Sequence, residues 1–232
     1  MLALRIVTCD LYVNWQENYM EYVLSLLPAM LEGTGVTLKL FFYTLAMSLP
    51  IGVVMALARI TKFKPLNIFM QLYIWVFRGT PLLLQLFFIY YGLAQVGIKF
   101  DRFTAAIIAF VLNYSAYLAE IYRSGIQSID QGQYEAADVL GLTRLQTMTK
   151  IILPQMFRRV LPPISNEVIN LVKDTALIYV IGISELLRVT KTSAVRDFSF
   201  TPWIVAAVFY LVMTGTVQQF FKWLEQRFNY YR

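Results

Sequence analysis

The sequence predicts an all-α integral membrane protein: five core transmembrane helices, an amino-terminal helix at the membrane interface, and a short helix in an aqueous loop. Three observations carry this. The 232 residues are 58% hydrophobic and only 15% charged, too apolar for a soluble domain of that length. The apolar residues fall in runs of about twenty, the length a helix needs to cross a hydrocarbon layer about 30 Å thick. Basic residues flank those runs, as they do around membrane spans.

In chain order, residues 1–34 come first as a separate unit, with 35–232 forming the transmembrane domain. "ENYMEYVLSLLPAMLEG" spaces apolar residues in helical rhythm around Glu17, Glu21 and Glu32, which predicts an amphipathic helix lying on the membrane surface. The first span, 35–57, ends at the basic cluster Arg59, Lys62 and Lys64. The second, 66–93, is interrupted by "FRGTPLL", where Gly79 and Pro81 predict a broken helix. The third covers 103–122. The fourth, 151–172, is the least hydrophobic, and its Pro162 and Pro163 are expected to kink it. "TALIYVIGISELL" from Thr175 is too short to cross and is either re-entrant or packed inside protein. The fifth span covers 202–221.

The net charge of +6 orients spans rather than binding nucleic acid. With the amino terminus outside, the inner segments 59–65, 123–159 and 222–232 hold three, five and three Lys and Arg, eleven in all. The outer segments hold seven: Arg5, Lys99, Arg102, Lys173, Arg188, Lys191 and Arg196. This places the carboxyl terminus and residues 123–159 in the cytoplasm. Cys9 is the single cysteine, so no internal disulfide forms. "IVTC" lacks the preceding apolar run of a lipidation signal, and the amino terminus turns acidic too early for a cleavable signal peptide. The sequence has no histidine, which disfavours zinc, haem and Cys/His nucleophilic chemistry.

Between the third and fourth spans lies "EAADVLGLTRLQTMTKIILPQ", from Glu135 to Gln155. A helix over 131–149 carrying Ala136, Ala137 and Gly141 presents a small surface to another body. Glu135-Ala136-Ala137, Gly141 with Leu142, and then Ile151-x-Leu153-Pro154 resemble the EAA loop of ATP-binding-cassette (ABC) importer permeases. "FRGTPLLLQLFFIYYGL" (77–93) and "NEVINLVKDTALIYVIGISELL" (166–187) are similar to the polar amino-acid branch of that family, and the likeness runs from about residue 30 to the end. One departure is Ala176, where many relatives carry Ser; it loosens the assignment of a particular amino acid.

The resemblance implies a type I importer permease fold, with Glu135, Ala136, Ala137, Gly141 and Leu142 on a coupling helix seated in a cytoplasmic ATPase. It implies two ATPase chains, a second permease chain of like or unlike sequence, and an external binding protein, in a bacterial cytoplasmic membrane. No G-x-x-x-x-G-K-[ST] phosphate loop occurs in the chain. ATP and Mg therefore belong to the partner ATPase, and this chain is expected to hold no cofactor and no catalytic site.

Ionisable residues at membrane depth are functional candidates. Nine residues of helix separate Arg158 from Glu167, a rise of about 14 Å, which puts Glu167 near mid-membrane. Asn166, Asn170 and Lys173 share one face, and Glu167, Asn170 and Asp174 form the neighbouring stripe. A carboxylate with amides suits an ammonium or guanidinium group; the bland alternative is a structural polar contact. Asn113, Tyr117 and Glu120 recur at i, i+4 and i+7, beside Tyr114 and Ser115, and can clamp a small zwitterion; helix–helix hydrogen bonding is the alternative. Arg78 meets a substrate carboxylate or, as the stronger reading, holds an internal one. Glu120 and Arg123 form a local ion pair, Lys39 snorkels, and Lys173 with Asp174 locks an outer gate without touching cargo.

The expected function is the permease subunit of an ATP-driven importer of polar, preferably cationic, amino acids, working by alternating access. The alternatives are glutamine or glutamate as cargo, a secondary carrier working without an ATPase, and, least supported, a membrane enzyme.

Overall fold

A computed structural model describes residues 2–228, with side chains from Tyr19 onward; Cys9 and Arg5 lie outside the described side chains. Among the described residues there are ten α-helices and no strand. Helix α1 (Leu2–Ile60) runs for 59 residues. The surface helix and the first span are thus one element, without a break between residues 34 and 35. Gly33 does not end the helix. It lets α1 approach another backbone, because a Cβ there would stand 3.0 Å from Leu186 Cα.

Helix α2 (Lys64–Gly79) is followed by α3 (Leu82–Phe87), a π-helical turn and α4 (Leu93–Gln95). The two halves of this second passage meet at 104°. Helix α5 (Arg102–Gln127) is capped by Asp101, whose carboxylate accepts from the amides of Phe103 and Thr104. Then come α6 (Gln131–Val139), α7 (Arg144–Thr147), a π-helical turn, and α8 (Leu153–Asp174), which stays helical through Pro162 and Pro163. A 3₁₀ segment (Thr175–Ile181) packs inside the protein on Thr175, Ile178 and Ile181. Gly182, in the left-handed region at φ 85°, turns the chain into α9 (Leu186–Arg196), and α10 (Thr201–Arg227) completes the fold.

Among the described residues three helices are long and apolar enough to cross a membrane, and a fourth passage results if the bent pair α2–α4 is taken as one span. Helix α8 falls short by composition, not by length, since it carries Arg158, Arg159, Glu167, Lys173 and Asp174 over 22 residues. Its apolar side, including Val160, Ile164, Val168 and Leu171, is buried in the main core with Phe110 and Leu118 of α5. Lipid-type side chains face outward elsewhere, as Leu211, Val212, Phe220 and Trp223 do on α10.

The two ends of the bundle differ. At one end Gly52 of α1 abuts Leu118 and Tyr122 of α5, Arg159 of α8 reaches Ser128, and Phe157 meets Phe228 with ring centroids 5.0 Å apart. This end carries α6 and α7. At the other end Arg102 of α5 approaches Gly182, and Tyr22 of α1 donates to Asp197 at 2.8 Å. This end carries α9.

Candidate functional site

The break between α2 and α3 builds the site. Thr80 and Pro81 are extended (ψ 146° and 136°), and proline has no N–H to continue the ladder. The carbonyls left free are captured by two buried amides. Gln85 Nε2 donates to Phe77 O at 2.9 Å and to Thr80 O at 3.1 Å. Asn113 Nδ2 donates to Phe77 O and to Gln85 Oε1, both at 3.0 Å. Both N–H bonds of the Asn113 amide are thereby used, and its Oδ1 remains as an acceptor. Gln85 escaped the sequence reading because it looks like one polar residue in an apolar run.

Beside this break lies a cavity of about 460 Å³ between α3, α5 and α8. From α5 it takes Asn113, Tyr114 and Tyr117; from α8 it takes Glu167, Asn170 and Asp174; and Thr80 and Pro81 of the break close it. Tyr114 donates its hydroxyl to Asp174 Oδ2 at 2.7 Å. Glu167 is half-buried and has no hydrogen bond or ion pair among the described residues. The lining contains two carboxylates and no lysine or arginine.

Five of the eight expected cavity residues therefore meet: Glu167, Asn170, Asn113, Tyr114 and Tyr117. Asn166 is exposed and stands off the lining, one residue around the helix from Glu167. Ser115 is fully buried, and its hydroxyl has no partner among the described residues. Arg78 is the next-to-last residue of α2; its guanidinium lies over the Tyr117 ring at 5.2 Å and lines a different cavity. Asp174, expected to stay away from cargo, faces the cavity, because the period of α8 puts it on the Glu167 and Asn170 stripe. Glu120 pairs with Arg123 as expected, Nε to Oε2 being 2.9 Å.

The α6–α7 segment differs from the single helix expected over 131–149. Gly141 has φ 69°. Leu142 N donates to Ala137 O and Gly141 N to Asp138 O, both at 3.0 Å, the paired bonds that terminate a helix at a left-handed residue. Gly141 is thus a turn, and Ala137 is fully buried. Glu135, Ala136 and Gly141 are exposed and Leu142 half-exposed. The outward tip is apolar: Val139, Leu140 and Leu145 are 88%, 75% and 73% exposed. Gln155 Nε2 donates to Gln133 Oε1 at 3.0 Å, tying α6 to the base of α8.

A helical membrane bundle with a polar cavity at a broken helix, and the α6–α7 segment tied to a cavity-lining helix, fits a transport permease. The chain belongs to the family of binding-protein-dependent transport system inner membrane components, whose pattern matches residues 48–230. It is 40% identical over 189 residues to the arginine transport system permease protein ArtQ of Bacillus subtilis (strain 168), covering 81% of this chain and 86% of that one. It is 37% identical over 212 residues to the putative glutamine transport system permease protein GlnP of Rickettsia bellii (strain RML369-C), covering 89% and 97%. Its fold matches a crystal structure of an amino acid ABC transporter with histidines at TM-score 0.82 and 38% identity, over 90% of this chain and 97% of that one. The protein is a membrane-spanning permease of an amino-acid ABC importer with the type I fold.

Proposed function

We propose that this permease carries cationic amino acids (arginine, lysine or protonated histidine) by alternating access through the cavity at Glu167 and Asp174. The observation that carries this is the charge of the lining: two carboxylates without a cation. A desolvated carboxylate needs a partner, and a guanidinium or ammonium supplies one through charge-assisted hydrogen bonds. The ring of Tyr117 offers a face for stacking a guanidinium. Glutamine is the second reading, favoured by the amide of Asn170 in the same lining.

The basic bias of the α6 end supports a cytoplasmic position for it, with the amino terminus outside. The apolar tip of Val139, Leu140 and Leu145 supports docking of that segment on an ATPase. Two ATPase chains, which bind the ATP and Mg, a second permease chain and an external binding protein complete the transporter. The test is uptake by the assembled transporter in proteoliposomes. Glu167→Gln is expected to lower arginine and lysine uptake roughly tenfold or more, the worth of one charged hydrogen bond, and to spare glutamine. Unchanged arginine and lysine uptake would overturn the cationic assignment.

A further inference from the structure

An amino acid inside a membrane protein brings a carboxylate as well as an ammonium. The cavity at Glu167 and Asp174 has no cation for that carboxylate, and a buried charge without a partner is costly. The nearest answer lies directly below. A second cavity, of about 430 Å³, is lined by Arg59, Gln71, Trp75, Arg78, Gly79 and Glu120, among others. The two cavities are neighbours along both walls. Gly79 lines the second and Thr80 the first. Tyr117 lines the first, and Glu120 lines the second, three residues or about 4.5 Å further along α5 toward the α6 end. The Arg78 guanidinium, lining the second cavity, lies over the ring of Tyr117, lining the first, at 5.2 Å.

The charge inverts between the two cavities. Above are two carboxylates. Below are two guanidiniums and one carboxylate, and that carboxylate, Glu120, is already held by Arg123. Arg59 gives one N–H to Asn67 Oδ1 at 2.6 Å. Neither Arg59 nor Arg78 has an ion pair among the described residues.

We propose that the second cavity is a release station that takes the α-carboxylate of the departing amino acid on Arg78 and Arg59. It rests on the amino-acid importer function and not on the cationic preference. Cargo passes from a chamber that partners its ammonium to one that partners its carboxylate.

Trp75 lines this cavity, largely exposed, and serves as a reporter at it. In a chain with Trp15, Trp203 and Trp223 replaced by Phe, the nucleotide-free complex with its ATPase is titrated in nanodiscs. The signal of a matching Trp75→Phe complex is subtracted. Arginine and glutamine are expected to change Trp75 emission, and agmatine, which is arginine without its carboxylate, is not. Arg59→Gln is expected to raise the half-saturating concentration roughly tenfold to a hundredfold. Asn67→Ala removes the Arg59 contact but keeps the guanidinium, and the response should persist. If Arg59→Gln does not assemble, Arg78→Gln gives the same readout. An equal response to agmatine, no response from a complex that imports, or unchanged titrations in the arginine variants would overturn the station. If Glu167→Gln leaves arginine import intact while Trp75 still distinguishes arginine from agmatine, the cationic assignment falls and the station stands.

Discussion

Tyr114 donates its hydroxyl to Asp174 at 2.7 Å and so ties α5 to the last residue of α8, on the α9 side of the cavity. The same two helices are pressed together at their α6 ends. There a Cβ on Gly125 would stand 2.2 Å from Val160 Cγ1. The cavity thus lies between a tight crossing and a hydrogen bond set beside the core packing of Phe110 with Val168 and Leu171. The crossing is van der Waals contact and cannot open without separating cores. The hydrogen bond can break in one rotamer change.

Tyr114→Phe should therefore loosen the α9 side and leave the crossing intact. The ring keeps its stacking on Phe110, whose centroid is 6.5 Å away. A hydrogen bond to a carboxylate is worth about 1.5–3 kcal/mol, so the unfolding midpoint should fall by several degrees. ATP hydrolysis by the assembled transporter should depend less on the binding protein. Thermal unfolding and ATPase activity with and without the binding protein measure both. Unchanged stimulation by the binding protein would show that the bond is packing and not a latch.

Much of this was legible in the sequence because the bilayer imposes few solutions. The spans follow from run length, and the break follows from Gly79 and Pro81. The stripe Glu167, Asn170 and Asp174 follows from helical period, and all three reach the cavity. What stayed hidden depends on neighbours far along the chain. Gly33 reads as a helix end but serves a close approach to Leu186. Ser115 sits beside cavity-lining Tyr114, yet one step around a helix turned it into the core. Arg78 lies one residue before the break, and the bend sends its side chain to the other side of Tyr117. Gln85 acquires its role only because the break frees the carbonyls of Phe77 and Thr80.

Asp197 makes acid stability partly local. Hydrogen bonds from Arg196 and then from Tyr22 hold its carboxyl at about 2, below the ordinary 3.8. A carboxyl whose value is depressed in the folded state contributes stability above its unfolded value and loses it as pH falls through the folded one. The contribution of Asp197 is thus full above 3.8 and fades as pH falls toward about 2. Because the group is partly exposed, salt should weaken the effect. Thermal unfolding in detergent over this acid range should show a shallower loss for Asp197→Asn and for Tyr22→Phe than for the unaltered chain. Identical acid slopes in all three would show that the tie between α1 and the α9–α10 turn contributes nothing.

Gly141 separates two explanations of why a glycine stands between α6 and α7. A close approach to a partner would need a small side chain, and any enlargement would then harm docking in proportion to size. The backbone gives a different reason. Gly141 is at φ 69°, and a Cβ added there would meet nothing within 4 Å of the chain. In that region an ordinary L residue costs about 1–2 kcal/mol, and asparagine less than a β-branched residue. If the turn is what matters, Gly141→Asn should keep more ATPase co-purification and ATP-driven uptake than Gly141→Val, although the two side chains are similar in size. Gly141→Ala should fall between them. The strain would unseat the bonds from Leu142 to Ala137 and from Gly141 to Asp138, and the apolar tip at Val139 and Leu140 would lose its fixed direction. A loss that follows side-chain volume, with alanine best and asparagine as poor as valine, would instead favour a steric contact with the partner.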